Sequence, residues 1–270
     1  MALLPLACDP RRQARAPQAG FNYQNWLILH AWLDLGPDEC LIVEGAEDYD
    51  QIGKTCAVTN QVKHSGDSIT LTRRPAAVSI GHYLYHRAKN GDRDIRYAYV
   101  TNAPPGKEPG SKLRTDSRGI EVWRACMNRD YDGLSDDQKH DLEVLPNLVR
   151  RPVQRGLGRG ASIQAVERDA LTYAAGFLDN RTSREFHEEV IANFIWSTEC
   201  PSAEDLATAI VGKLRQRCDE WQASPGMVAS SCHRLYYRVV EAATGYDGGR
   251  LDAAVLYAVV EEHIDVVTSP

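Results

Sequence analysis

The sequence predicts an α/β fold in which a mixed sheet is followed by an all-helical C-terminal region, and three observations predict it. Hydrophobic residues make up 43% of the 270 residues, which is enough to bury a sizeable core. Between residues 21 and 101, short extended segments alternate with helical ones, as expected for a sheet covered by helices. From residue 162 onward, apolar residues recur mainly at helical spacing.

The first half of the sequence predicts one helix, three extended segments, a second helix and a further strand. Apolar residues at helical spacing indicate the helices, and short apolar and aromatic runs indicate the strands. Glycine, proline and asparagine separate the elements. The predicted spans are a helix over 21–35 that Gly36-Pro37 ends, extended chain over 40–52 with a break near Gly45, a strand in "TCAVTNQVKHS", a helix in "AAVSIGHYLYHRAKNG" and a strand over 95–101.

The second half of the sequence predicts helices. Two of them lie in "SRGIEVWRACMNRD" and "SDDQKHDLEVLPNLV", and the basic, glycine-rich stretch "VRRPVQRGLGRGAS" then predicts a flexible connection. Later helices are predicted over 162–178, 183–197, 203–222, 226–243 and 251–265. The expected division of the chain is a flexible lead (1–17), an α/β domain (18–155) and a helical accessory or coupling region (156–270).

Charge and cysteine content argue against several classes of protein. The net charge of −6 disfavours a generally basic nucleic-acid coat, although it leaves room for a local basic groove. The seven cysteines are scattered without a CxxC pair, which indicates reduced thiols rather than a disulfide framework or a zinc knuckle. No apolar run approaches the length of a membrane span. We therefore expect a cytoplasmic protein that has no membrane partner.

Polar side chains gather near the ends of the predicted strands. In "QVK", strand alternation places Gln61 and Lys63 on one face and Val62 on the other. Carboxylate and amide oxygens suit Mg²⁺ or Mn²⁺, and a lysine beside such an ion can orient an attacking water and offset charge on a phosphate. The segment "VEGAEDYDQ", which precedes this strand, supplies the carboxylates Glu44, Glu47, Asp48 and Asp50.

Four segments, "GFNYQ", "VEGAEDYD", "QVKHS" and "YVTN", occur in an order that resembles the PD-(D/E)xK nuclease superfamily. Within it, they look most like the endonuclease effector domain of bacterial anti-phage systems. The resemblance covers roughly residues 18–105 and implies a restriction-endonuclease-like core of helix, mixed sheet, helix and strand. It also implies a Mg²⁺ or Mn²⁺ cofactor and a homo-oligomer, and it leads us to expect a sensor or NTPase module in the same or another chain.

Carried onto this sequence, the resemblance implies four catalytic residues: Asp48, Asp50, Gln61 and Lys63. Asp48 or Asp50, Gln61 and the backbone carbonyl of Val62 would hold the metal, and Lys63 would position the attacking water. Gln61 departs from the glutamate that many members of the superfamily have. This departure removes one negative charge and should weaken metal binding, unless Glu44 compensates.

Two further groups of residues complete the predicted site. Gln24 and Glu44 are expected to support the metal and its ligands. Four arginines that follow the lysine strand or lie in the basic connection are candidates for contacts to DNA phosphates: Arg73, Arg74, Arg151 and Arg155.

The expected function is cleavage of double-stranded DNA by a magnesium-dependent endonuclease of low sequence specificity, acting as an effector in anti-phage defence. One alternative is a catalytically silent nuclease fold that binds nucleic acid or a partner protein. Another is a helical adaptor that uses the first half as a scaffold. Metal-dependent cleavage separates the first of these from the other two.

Overall fold

A mixed sheet forms the centre of the computed structural model, which describes residues 15–91, 93–158, 164–220, 227–245 and 249–268. The strand order is β5-β4-β3-β2-β1-β6. The pairs β3–β4 and β4–β5 are parallel, whereas β6–β1, β1–β2 and β2–β3 are antiparallel. The strands are β1 (Cys40–Val43), β2 (Tyr49–Ile52), β3 (Cys56–Lys63), β4 (Asp94–Thr101), β5 (Phe194–Ser197) and β6 (Arg250–Asp252).

The described residues also form nine α-helices, with a 3₁₀ turn at Tyr131–Gly133 and a π-helical turn at His187–Ile191. Pro75 lies in the first turn of α2, where its missing N–H is tolerated, and a capping box of Ser135 and Gln138 begins α4. The helices are α1 (Arg15–Leu33), α2 (Arg74–Lys89), α3 (Gly119–Met127), α4 (Asp136–Leu157), α5 (Ala165–Asp179), α6 (Ser183–Phe186), α7 (Ala203–Glu220), α8 (Met227–Thr244) and α9 (Ala253–Thr268).

Each face of the sheet is covered by its own helical layer. Side chains of α1, α7, α8 and α9 pack on one face, against residues such as Val62 and Leu251. Side chains of α2 to α6 pack on the other face, against residues such as Tyr99 and Trp196. Because strand side chains alternate, Gln61, which is paired with Tyr99, lies on the face that α2 covers. The α/β class and the mixed sheet are therefore confirmed.

The prediction of an all-helical C-terminal region is wrong. β5 pairs with β4 at one edge of the sheet, and β6 pairs with β1 at the other edge. The predicted helix 183–197 is instead the short α6, the π-helical turn and β5. A strand of four residues carries too little periodicity to be distinguished from a continuing helix. The helices of this region contribute residues to the same two hydrophobic cores as the first half.

Two predicted connections also differ from the structure. α4 continues to Leu157 through Pro146 and Pro152, because its buried face, which includes Leu148 and Val153, keeps contributing to the core. Most of the predicted flexible connection is therefore helical, and residues 159–163 lie outside the described residues. The predicted flexible lead lies outside them over residues 1–14, and α1 begins at Arg15.

Within the described ranges, no helix combines the length and the apolar character that crossing a membrane requires.

Candidate active site

Backbone hydrogen bonds and the Asp50 side chain fix the conformation of the loop between β1 and β2. Val43 pairs with Tyr49, so residues 44–48 form the connection. Glu44 adopts a φ of 53°, and its N–H donates to the carbonyl oxygen of Asp48 at 3.0 Å. The N–H of Ala46 donates to Oδ2 of Asp50 at 2.7 Å. These bonds fix the direction in which the acidic side chains leave the loop.

Asp48 and Lys63 come together at the end of β3. The backbone N–H of Val62 donates to Asp48 Oδ2 at 2.5 Å, and Lys63 Nζ lies 3.9 Å from the same oxygen. The Asp48 side chain is 22% exposed and that of Lys63 is 44% exposed, so the pair is open to a ligand from solvent. The structure thus brings together the acid and the lysine that the sequence predicted.

The pKa of Asp48 reflects its burial first and its charged neighbours second. Burial raises the pKa of Asp48 above its usual value, and Lys63 and the N–H of Val62 oppose that rise. The carboxylates of Glu44 and Glu47 raise it further. The carboxylates of Glu44 and Glu47 therefore lie near enough to Asp48 to repel it, and a cation beside Asp48 would relieve that repulsion.

Asp50, the alternative acid, is placed differently. It is 8% exposed, and its Oδ2 accepts the hydrogen bond from Ala46 described above. Burial raises the pKa of Asp50 as well. Of the two candidates, Asp48 contacts Lys63, whereas Asp50 holds the loop from inside the protein.

Gln61 lies beside this pair with both ends of its amide engaged. Its Nε2 donates to Glu47 Oε2 at 3.1 Å, and its Oε1 accepts a hydrogen bond from the Ser79 hydroxyl of α2. The residue is 7% exposed. The sequence predicted Gln61 as a metal ligand, and the structure shows that Oε1 already has one protein partner.

Glu47 also contacts two histidines that the sequence analysis did not single out. His82 Nδ1 lies 2.6 Å and His86 Nε2 lies 3.1 Å from Glu47 Oε1. Burial alone would raise the pKa of Glu47, but the hydrogen bonds and charges of the two histidines hold it at about 2. The signal was present in "HYLYH", because a spacing of four places both rings on one face of a helix.

Gln24 and Glu44 form the other side of the site. Gln24, on α1 and 7% exposed, donates from Nε2 to Glu44 Oε1 at 2.8 Å. Glu44 itself is exposed. The two residues that the sequence named as supporting residues are therefore in direct contact in the structure.

Two carboxylates of the site are candidates to hold a magnesium ion. Among the described residues, no group of three or more His, Cys, Asp or Glu side chains has the arrangement to hold a metal ion. Mg²⁺ needs only one or two carboxylates, because it keeps several of its own waters. Asp48 and Glu44 are the carboxylates that fit this requirement, because both are partly open to solvent and their charges repel each other.

The predicted DNA-contact arginines lie together, and we name them the arginine surface: Arg73, Arg74, Arg151 and Arg155. Arg73, Arg74 and Arg155 line a cavity of about 320 Å³, and Arg151 and Arg155 line a neighbouring one. A nitrogen of Arg155 donates to the carbonyl oxygen of Thr72 at 2.9 Å. Two acids offset part of the charge, because Asp67 pairs with Arg73 at 3.3 Å and Glu167 pairs with Arg74 at 2.5 Å.

A buried carboxylate fixes the segment that presents these arginines. Glu108 is 4% exposed, and it accepts hydrogen bonds from the backbone N–H groups of Leu71 (2.6 Å) and Thr72 (3.3 Å). The chain reaches this segment directly from Lys63 at the end of β3, and Ser79 of α2 contacts Gln61. The arginine surface therefore lies on the side of the sheet where β3 ends.

Comparison with known proteins gives little further information. No family model and no curated protein matches this sequence. Two similar solved structures are those of the Acinetobacter baumannii Cap4 SAVED/CARF-domain containing receptor, one of them with the cyclic trinucleotide 3'3'3'-cAAA. Each has 12% identity and a TM-score of 0.44 and covers 93% of this chain, which spans 47% and 49% of the two Cap4 chains. The chain thus spans about half the length of Cap4, and a likeness this low carries no argument about function.

Proposed function

We propose that the chain is a metal-dependent nuclease that cleaves phosphodiester bonds in DNA. The observation that carries the proposal is the Asp48–Lys63 pair, in which a lysine ammonium lies 3.9 Å from a carboxylate oxygen that a backbone N–H also holds. A solvated surface pair would need no such backbone support. Burial raises the pKa of Asp48, and the carboxylates of Glu44 and Glu47 raise it further, so a cation at this position would stabilise the ionised form of Asp48.

Each residue of the site would have its own role in this reaction. Asp48 and Glu44 would hold Mg²⁺, with the backbone carbonyl of Val62 as a further oxygen donor. The ion, when bound, supplies positive charge to the scissile phosphate. The Lys63 ammonium is free to move at its half-exposed end, where it donates to the attacking water and stabilises charge that develops on the phosphate oxygens.

Removal of the metal tests this proposal most directly. We expect plasmid DNA to be cut in the presence of Mg²⁺ or Mn²⁺ and to stay intact in EDTA. The Asp48→Asn protein should lose cleavage by about 10²-fold or more, because it loses the charge that holds the ion. Asp50→Asn, the matched control, removes the same charge from a loop-holding position and should keep most of the activity.

Two results would contradict this assignment. Cleavage that persists in EDTA would remove the metal from the mechanism. If Asp50→Asn abolished cleavage and Asp48→Asn did not, the metal ligand would be Asp50 and not Asp48. Thermal unfolding of both variants identifies a loss of activity that comes from a loss of the fold.

The arginine surface supplies a second prediction, on DNA binding. Arg151→Ala/Arg155→Ala should weaken binding of duplex DNA and reduce the slope of log K against log salt by about 1 for each phosphate that is no longer neutralised. The measurement is fluorescence anisotropy at several salt concentrations, in Ca²⁺ or EDTA so that DNA is not consumed. Arg238→Ala, which removes a 41% exposed arginine paired with Glu241 on α8, is the control and should leave the slope unchanged. Equal slopes for all proteins would exclude this surface from DNA binding.

One observation favours a second candidate, a silent fold that binds nucleic acid without cutting it. The Gln61 amide is engaged by Glu47 and Ser79, so it contributes no charge and at most one free lone pair to a metal. Salt-sensitive DNA binding without cleavage in any divalent metal would support this candidate. The role in anti-phage defence, the homo-oligomer and the sensor or NTPase partner rest on the sequence resemblance and stay predictions.

A further inference from the structure

Glu47 forms a buried link between α2 and the strand that carries Gln61. Its Oε1 faces His82 and His86, at 2.6 and 3.1 Å, and its Oε2 accepts the Nε2 hydrogen bond of Gln61 at 3.1 Å. The side chains of Glu47, His82 and His86 are only 10%, 15% and 16% exposed, so little water competes for these contacts. Ser79, which binds the other end of the amide, lies on the same face of α2 as the histidines.

The chemistry of these groups permits one orientation of the Gln61 amide. An ionised carboxylate has acceptors only, so Glu47 requires the NH₂ end of the amide to face it. The oxygen end must then face Ser79, whose single hydroxyl proton is shared between Gln61 Oε1 and the carbonyl oxygen of Pro75, which lies 2.9 Å from the hydroxyl oxygen. One lone pair of Gln61 Oε1 stays available after the bond to Ser79, and it is the only part of this side chain that can bind a cation.

We infer that Glu47 is a positioning residue, which fixes the polarity of the Gln61 amide and keeps its oxygen available at the candidate metal site. In its effect on cleavage, this inference rests on the proposed nuclease function. Its effect on the fold does not, because the Glu47–Gln61 contact exists whether or not the protein is an enzyme. An acid and an amide in contact are also exchangeable in principle, since each order leaves one donor end facing one carboxylate.

Exchange of the two side chains tests the inference. Gln61→Glu alone places two carboxylates in contact, and Glu47→Gln alone leaves two amides with no fixed polarity. In the exchanged protein, Glu47→Gln/Gln61→Glu, the new amide can donate to the new carboxylate, accept from the histidines and leave the Ser79 bond in place. The four proteins form a double-mutant cycle that isolates the coupling between the two positions.

Two quantities are measured on each protein of the cycle. Gln61→Glu should lower the thermal unfolding midpoint by about 5 °C, and the exchange should recover most of that decrease. Glu47→Gln should reduce metal-dependent cleavage about 10–100-fold and raise the Mg²⁺ concentration for half-maximal cleavage, because the Gln61 amide loses the contact that fixes its polarity. The exchanged protein should return towards the native values in both respects.

Glu39 and Gln51 provide a matched control away from the site. Gln51 Nε2 donates to Glu39 Oε2 at 3.2 Å, so this is a second acid–amide pair on the same hairpin. Its single substitutions and its exchange should leave the Mg²⁺ requirement unchanged. If the Mg²⁺ requirement shifted in this control, the Mg²⁺ requirement would report the stability of the fold and not the position of Gln61. That result would overturn the positioning role of Glu47.

The remaining outcomes separate the inference from the proposed function. Additive effects on the unfolding midpoint would show that the two side chains are not coupled and would overturn the inference. Recovery of the midpoint without recovery of the Mg²⁺ requirement would overturn the positioning role and leave a structural contact. A native protein that cuts no DNA with any divalent metal would defeat the proposed nuclease, while the midpoints alone would still decide whether Glu47 fixes the amide.

Discussion

Replacement of Lys63 by alanine is expected to reduce metal-dependent DNA cleavage by about 10²–10³-fold, because it removes the ammonium group that lies beside Asp48. The fold should hardly change. The side chain is 44% exposed and its nitrogen lies 3.9 Å from the carboxylate, so the pair contributes less than about 1 kcal/mol to the free energy of unfolding. Single-turnover cleavage and urea unfolding of the same preparation measure the two effects separately.

Lys54→Ala is the matched control for this experiment. Lys54 lies in the turn between β2 and β3 and pairs with Asp38 at 2.6 Å, and both side chains are more than half exposed. Its removal takes away the same charge on the same hairpin, away from the candidate site, and should leave cleavage unchanged. If cleavage decreased equally in the two variants, Lys63 would contribute only through its positive charge and not through its position. If Lys63→Ala kept full activity, Lys63 would have no role in the mechanism.

The largest expected effect on stability comes from Gly81→Ala. A Cβ atom at Gly81 would lie 2.6 Å from the carbonyl carbon of Ala170, so α2 and α5 must move apart. Overpacking of this kind costs about 1–3 kcal/mol, which urea unfolding can resolve. The displaced α2 also carries Ser79, His82 and His86, so cleavage should fall even where the protein is still folded.

Gly176→Ala separates this packing effect from helix propensity. Gly176 lies in α5, and no atom lies within 4 Å of a Cβ atom placed there. The substitution should stabilise the protein by roughly 0.5–1 kcal/mol, because alanine is the better helix former. If Gly81→Ala also stabilised the protein, the close approach of α2 and α5 would not exist in solution.

The part of the site that lies on adjacent strands could be predicted from the sequence. Gln61 and Lys63 lie on β3, where strand alternation alone places them on one face, and Asp48 directly precedes β2, which pairs with β3. The hairpin connection brings Asp48 to them. The same reasoning could not choose between Asp48 and Asp50, because the choice depends on the bond from Ala46 that turns Asp50 inward.

The contribution of α2 could not be predicted in the same way. Ser79, His82 and His86 meet Gln61 and Glu47 only because α2 packs across the sheet, and no local pattern states which face it turns towards the strands. The arginine surface shows the same limit. The sequence offered its members as two separate segments, and the bond from Arg155 to Thr72 joins those segments across 83 residues of sequence.

The two short strands of the C-terminal half also determine how late in synthesis the sheet can be completed. A ribosome delivers β1 to β4 first, with the edges of β1 and β4 unpaired until much later in synthesis. The edge of β4 stays unpaired until β5, which begins at residue 194, has been synthesised. The edge of β1 stays unpaired until β6, which begins at residue 250. Until then, each edge can pair with a strand of another chain. A nascent chain that stops before residue 250 therefore holds the residues of the candidate site in a sheet that still lacks an edge strand.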